Sequence, residues 1–276
     1  MLFINGVRVL AYHKVSAKEN FRSQIKFLVK YFKIISIFDL YDNIYLDKEL
    51  PKNSVLLTFD DGDYSIYQNA MPILKEFNIP AVIFVITDLI NTNKPFWWDE
   101  IKYYLGETEG ERMVWEVKKW DNFERKRFLE KIRKDSCLPN KNIKQLSNHE
   151  LKEMSDAGIT IANHSHSHPM FDKVSDLELN KELSMAIDKL KSLKFSPFFF
   201  AYPNGNFTIK SENKLKELGI QLAFLFDHKI NRNKLNPLRI SRLRLNDHTP
   251  KWKLIFILSG LHTKLLPFIK AVNKIK

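Results

Sequence analysis

An α/β fold built on a (β/α) barrel, closed or nearly so, is the architecture this 276-residue sequence predicts, and three observations carry it. Short aliphatic runs alternate with amphipathic helical stretches, and the repeated strand-then-helix order implies a parallel sheet. The length accommodates seven or eight such units around one core. The distinctive polar residues, His13, Asp60, Asp61, His164, His168 and the turn after Tyr202, all fall where strands end, the edge at which such barrels keep their chemistry.

Residues 7–12 read as a strand that delivers His13 at its C-terminal end. Residues 20–31 place Phe21, Ile25, Leu28 and Val29 at helical spacing, and 34–37 read as the next strand. Residues 54–59 form an aliphatic run ending in Asp60-Asp61-Gly62. Successive strand residues point to opposite faces, but the chain turns here, and Gly62 permits backbone angles that bring both carboxylates into one cleft. Two anions in one cleft repel, so such a pair calls for a shared proton or a cation between them. Taken alone, the triplet also reads as an ordinary turn. The following helix has Pro72 as an early residue and stops at Asn78 before Pro80, and 81–86 is the next strand.

Residues 88–146 break the rhythm: Phe96-Trp97-Trp98-Asp99-Glu100 leads into lysine- and glutamate-rich helical sequence without a strand, which reads as a helical lobe inserted in a barrel of residues 1–250. Order resumes with the capping box Ser147-Asn148-His149-Glu150, opening a helix that closes at Gly158. The apolar run 159–162 then precedes His164-Ser165-His166-Ser167-His168. Imidazoles four apart meet on one face of a helical turn, a spacing that lets two neutral nitrogens bind one borderline-soft ion, with His166 off that face. Three of the eight histidines within five positions favour a site over scattered core or surface histidines. A second capping box, Ser175-Asp176-Leu177-Glu178, opens another helix; strand 198–202 ends in Pro203-Asn204-Gly205, helix 210–218 follows, and 221–226 and 239–245 read as strands.

The content of 44% hydrophobic and 28% charged residues is that of a soluble protein, and the single Cys137 excludes an internal disulfide. Residues 1–16 lack the charged-then-apolar order of a signal peptide, from which a cytoplasmic location is expected. A net charge of +12 points to an anionic partner. Nucleic acid is not expected, since zinc-finger spacing, a glycine-aromatic RNA signature and a basic heptad helix are all missing. Residues 251–276 carry six lysines, no acid and many large apolar residues, including Trp252, Phe256 and Phe268. That is the composition of a basic amphipathic tail lying on an anionic membrane, too interrupted to span one; the competing reading is a helix packed on the barrel.

Together these residues resemble the polysaccharide deacetylase family with the NodB-homology fold. Thr58-Phe59-Asp60-Asp61-Gly62 is similar to its first motif, the histidine cluster to its second, and Ala201-Tyr202-Pro203-Asn204-Gly205 to a variant of its third. The resemblance implies a distorted, incomplete (β/α) barrel. It implies that Asp61, His164 and His168 hold one divalent metal, zinc first, with cobalt, nickel or manganese as alternatives, and that Asp60 is the general base. The commoner third motif carries an arginine where Ala201 stands, and Arg242 is expected to supply that charge from the next strand. Ala11-Tyr12-His13-Lys14-Val15 resembles the start of permuted members in which the early histidine is the catalytic acid; His228 and His248 are weaker candidates.

A metal held by one carboxylate and two imidazoles keeps positions open for water and an amide oxygen. The expected reaction is hydrolytic N-deacylation of an amino sugar in a glycan or lipid-linked precursor, with a backbone N–H at Tyr202 on the oxyanion and Trp97, Trp98, Tyr202 and Asn204 lining the sugar site. For the two tryptophans, lobe core is the competing reading. The functional alternatives are a deformylase on a lipid-linked amino sugar, a non-catalytic glycan- or lipid-binding module, and phosphoester hydrolysis; the last usually wants two metals, and ligands are present for one.

Overall fold

The computed structural model describes residues 4–232, 235–263 and 265. The chain opens with β1 (Arg8–Tyr12), α1 (Lys18–Tyr31), β2 (Lys33–Ile34), α2 (Ile37–Tyr45) and β3 (Ser54–Phe59). Residues 34–37 are not the expected strand. β2 has two residues paired with β3, and Ser36 then caps α2: its Oγ accepts from Asp39 N–H while the Asp39 carboxylate accepts from Ser36 N–H. The Ser-x-x-Asp signal outweighs the β-branched run around it.

Pro72 is an early residue of its α-helix as expected, the second of Met71–Glu76, but helical backbone already precedes it. The proline has no N–H to donate and its ring crowds the carbonyl four back. The turn before it is wound wide as the π segment Ile66–Ala70, in which Met71 N–H donates to Ile66 O five residues back. Helical backbone thus begins at Tyr64 and continues through α3 (Met71–Glu76).

After β4 (Ala81–Val85), three helices follow without a strand: α4 (Trp97–Leu105), α5 (Glu107–Val117) and α6 (Asn122–Asp135). Trp97, Ile101, Val114, Val117, Leu129 and Ile132 form their own apolar cluster, which also takes in Met170. Then come α7 (Asn148–Asp156), β5 (Ile159–Asn163), α8 (Asp176–Ser192), β6 (Phe199–Ala201), α9 (Ile209–Glu217), β7 (Leu222–Phe224), β8 (Leu243–Arg244) and α10 (Lys251–Ser259).

All ladders are parallel, in the order β7-β6-β5-β4-β3-β1-β8, with β2 beside β3. β1, β3, β4, β6 and β7 are buried along their whole length, as a parallel sheet covered on both faces requires. Alternate residues Val9, Leu56, Val82, Phe84, Ala162 and Phe224 cluster with Ile37 and Leu40 of α2. Their neighbours Leu10, Leu57, Ile83 and Ile161 pack against α1, α3 and α7. Between β7 and β8 the described residues form one parallel bridge, Phe224 to Ile240, in place of a ladder, so the barrel is incomplete.

The first part of the tail packs on the barrel. Leu254, Ile257 and Leu258 of α10 are buried, and the buried Arg8 donates from Nε to Leu258 O (2.7 Å). The membrane-lying helix expected for residues 251–276 is therefore not what α10 forms; residues 266–276 lie outside the described residues. No described helix is long and apolar enough to cross a membrane.

Candidate active site

β1 and β3 run in register to the pair Tyr12–Phe59, and Asp60 N–H continues the ladder to Tyr12 O (2.9 Å). His13 and Asp60 each follow one step on, so the two strands deliver them side by side. Asp60 is buried. Arg242, which is 0% exposed, donates from Nη1 to Oδ1 (2.6 Å) and from Nη2 to Oδ2 (2.8 Å), and its Nε donates to Leu225 O (2.8 Å). Burial opposes ionisation of Asp60, but Arg242, aided by His164 and His13, outweighs it and holds the carboxyl below its ordinary range. His13 Nε2 lies 3.9 Å from Asp60 Oδ2, with 43% of its side chain exposed and its ring edge-on to Phe226.

Asp61 takes φ +69° and Gly62 φ +81°. Two successive left-handed residues swing the chain so that both carboxylates line one cleft. The sequence pattern assigns this turn to Gly62 alone, but Asp61 shares it, at a strain on the order of 1–2 kcal/mol for a residue with a Cβ. A Cβ at Gly62 would also meet Val85 Cγ1 at 3.2 Å.

His164 leaves β5 with its N–H on Val85 O (3.0 Å). Its Nδ1 faces Ala201 O at 2.8 Å, so that nitrogen carries the proton and Nε2 presents a lone pair 3.3 Å from Asp61 Oδ1. His168 Nε2 lies 3.5 Å from the same oxygen. The two histidines do not share a helical turn as expected; left-handed residues at Ser165 (φ +67°) and His168 (φ +54°) fold 164–168 into a loop instead. Elements outside the motif hold that loop. Arg125 of α6 donates to His168 O (2.7 Å), and Glu182 of α8 accepts from Ser167 N–H (2.7 Å) and Oγ–H (2.6 Å). His166 turns the other way, toward Thr87 Oγ1 (3.0 Å) and Asp88.

One oxygen of Asp61 and one nitrogen each of His164 and His168 lie within 4.8 Å of one another. Lone pairs facing lone pairs at this range repel unless a proton or a cation lies between them, and one carboxylate with two imidazoles suits a divalent, zinc-like ion. Burial pushes His168 down to about 3, with His164 adding to the effect, so this imidazole is neutral and ready as a ligand. Against burial, the neighbouring Asp61 and Asp60 carboxylates raise His164, and the nearby imidazoles hold the Asp61 carboxyl well below the ordinary range.

The remaining expected residues divide. Trp98 lines the cleft, a space of about 700 Å³, stacked on Phe96 (5.0 Å) and edge-on to His168 (5.0 Å). Trp97 is buried in the lobe cluster and does not reach this cleft, so for it the core reading holds. Trp97→Ala is therefore expected to cost about 3 kcal/mol in denaturant unfolding. Trp98→Ala is expected to raise KM roughly fivefold, the scale of about 1 kcal/mol of aromatic contact. Asn204 lines the cleft at φ +53°. Tyr202 is buried, with its N–H on Phe224 O (3.1 Å) and its hydroxyl donating to Leu238 O (3.2 Å), so the expected oxyanion donor is committed to the sheet. His228 lines the cleft, whereas His248 is exposed beside Ser16. Glu182 carried a sequence signal, an acid on the apolar face of its helix next to Leu183; Arg125 carried none.

A family model for polysaccharide deacetylases matches residues 47–223, about two thirds of the chain. The chain belongs to the polysaccharide deacetylase family. The matched span holds Asp60, Asp61, His164 and His168, and leaves out His13 and Arg242. The family is metal-dependent, and Asp61, His164 and His168 form a group that could hold the ion. Over 258 residues the chain is 27% identical to the poly-beta-1,6-N-acetyl-D-glucosamine N-deacetylase of Staphylococcus aureus (strain MRSA252), covering 89% of this chain and 72% of the relative. A shorter stretch of 91 residues is 36% identical to the enzyme of that name from Staphylococcus epidermidis, 32% of this chain and 30% of the relative. The fold is that of IcaB from Ammonifex degensii (TM-score 0.69, 22% identity, 94% of this chain and 99% of that one). Deacetylase PplD of Streptococcus pyogenes shares it (TM-score 0.64, 19% identity, 92% of this chain and 98% of that one).

Proposed function

We propose that this family member is a metal-dependent carbohydrate N-deacetylase, hydrolysing the N-acetyl amide of an amino sugar within a glycan. The observation that supports it most is the meeting, in one cleft, of a three-ligand cluster with a second carboxylate that is not a ligand but is held ionised by a buried arginine. Asp61, His164 and His168 would hold the divalent ion, zinc by its donor set, with cobalt, nickel and manganese as alternatives. Such an ion, when bound, polarises the amide carbonyl and lowers the pKa of a bound water.

Asp60 acts as the base. Arg242 occupies two of the four lone-pair sites of its carboxylate, and the others remain for a proton from the attacking water. His13, on the Oδ2 side of Asp60 and half open to the cleft, gives a proton to the departing amine. The Tyr202 N–H takes no part while it bonds to Phe224 O. Arg242 stands in for the arginine missing at Ala201, and this removes the main motive for a non-catalytic binding module.

The test is incubation with zinc or cobalt and a panel of N-acetyl and N-formyl amino sugars, reading released acid and new primary amine. Acetate release supports the proposal; release of formate alone moves the activity to a deformylase, and release of neither overturns it. His13→Ala is expected to keep its metal content and lose on the order of 10²- to 10⁴-fold in kcat. Near-normal turnover in that variant would take the acid role from His13.

A further inference from the structure

The cleft is lined by the acids Asp60, Asp61, Asp63, Asp99 and Glu111 and by the cations Lys14, Lys102, Lys118 and Arg244. Asp60 and Asp61 face Arg242 and the two imidazoles. Lys118 follows α5 at the edge of the lobe, half-buried, with its ammonium 4.7 Å from the Trp115 ring centroid. Arg244 ends β8 on the barrel, its guanidinium 6.0 Å from the Phe226 ring. Among the described residues neither makes an ion pair with a carboxylate. Of the other cations lining the cleft, Lys102 pairs with Glu107, while Lys14 is exposed and likewise makes no ion pair with a carboxylate among the described residues.

Both cations line the same cleft as Asp61, His164 and His168. Beyond burial, the charges felt by the Lys118 ammonium are Asp61, which is committed to two imidazoles, and Arg244, which repels it. Bringing like charges from two different elements into one cleft costs free energy that an anion between them would return. Neither cation has a task in the hydrolysis itself, where the base, the acid and the ligands are all supplied by other residues.

We propose that Lys118 and Arg244 form an anion clamp beside the ligand cluster, so that the preferred substrate is an N-acylated amino sugar bearing an oxyanion, phosphate or carboxylate, near the scissile amide. This rests on the deacetylase reading and names its substrate class. Charge-assisted hydrogen bonds to such a group lower the barrier for the charged substrate over its neutral counterpart by about tenfold or more in kcat/KM. The net charge of +12 adds salt-sensitive steering in the same direction.

The experiment compares kcat/KM for acetate release from a neutral N-acetylglucosamine oligomer, a soluble N-acetylglucosaminyl phosphate, a lipid-linked N-acetylglucosaminyl phosphate and an oligomer containing a uronate. We expect the anionic substrates to lead by about tenfold at low salt, and the lead to shrink as salt rises. Whichever anionic arm leads identifies the source of the charge. In Lys118→Met and Arg244→Gln the anionic-to-neutral ratio should fall toward one, and Lys118→Arg should retain most of it. Equal turnover of neutral and anionic substrates by the natural chain overturns the clamp and leaves the deacetylase reading standing. A variant series that changes only inhibition by acetate, at unchanged substrate ratio, overturns it too, because the pair would then serve the product. If no substrate releases acetate at all, it is the underlying activity that fails.

Discussion

Replacing Arg242 with leucine is expected to remove at least about 10²-fold of the activity and to destabilise the fold by about 3–5 kcal/mol. The second effect arises because Asp60 stays buried when its partner is gone, and a buried carboxylate without a counter-charge costs more than the pair ever contributed. The pH dependence changes sign as well. In the natural chain the folded-state pKa of Asp60 lies below its unfolded value, so its contribution is complete above the unfolded pKa and is lost as pH falls through the folded one. In Arg242→Leu, burial dominates and raises the folded pKa above the unfolded one. Stability relative to the natural chain should then improve on acidification and worsen toward neutrality. Urea unfolding between about pH 4 and pH 7 reads this directly, and adding Asp60→Asn to the leucine variant should recover most of the stability without restoring turnover. A leucine variant as stable as the natural chain at neutral pH would show that Asp60 is not held by this pair.

Alanine at Asp61, His164 or His168 is expected to empty the ligand cluster, whereas His166→Ala is expected to leave it filled. Metal content per chain after dialysis, measured by elemental analysis, separates the four variants. Activity in the three ligand variants should fall on the order of 10³-fold, as should that of the natural chain treated with a chelator, since the Lewis-acid contribution amounts to several kcal/mol. The His166 result depends on direction. Its ring faces Thr87 and Asp88, away from Asp61, although it sits midway between two ligands in sequence. Loss of metal in His166→Ala with retention in His164→Ala would reverse the assignment.

The strand ends, the acid pair and the histidine cluster were legible because each follows a local rule: an aliphatic run stops and polar residues begin. Less legible was anything set by a partner far along the chain. Nothing in the sequence around Arg125 marks it, and the acid at Glu182 on an apolar helix face signals a buried partner without saying which; both fix the loop at Ser167 and His168 from α6 and α8 and act only once those helices are docked. Local misreadings have local causes. A capping serine turned a β-branched stretch into α2, and a widened turn ahead of Pro72 extended helical backbone to Tyr64. Trp97 and Trp98 are adjacent, so composition treats them alike, yet the helix sends one into the lobe core and the other over the cleft.

The strand order places β1 between β3 and β8, so the first strand of the chain and the last are neighbours. On the ribosome this imposes a schedule. Emergence of residues as far as His168 delivers the whole ligand cluster, but the side chain that neutralises Asp60 is made 182 positions after it. At roughly 5–20 residues per second, the nascent chain spends some seconds with the cluster complete and the base unneutralised. Cation capture can therefore precede catalytic competence during synthesis, and the buried ion pair forms as one of the last events.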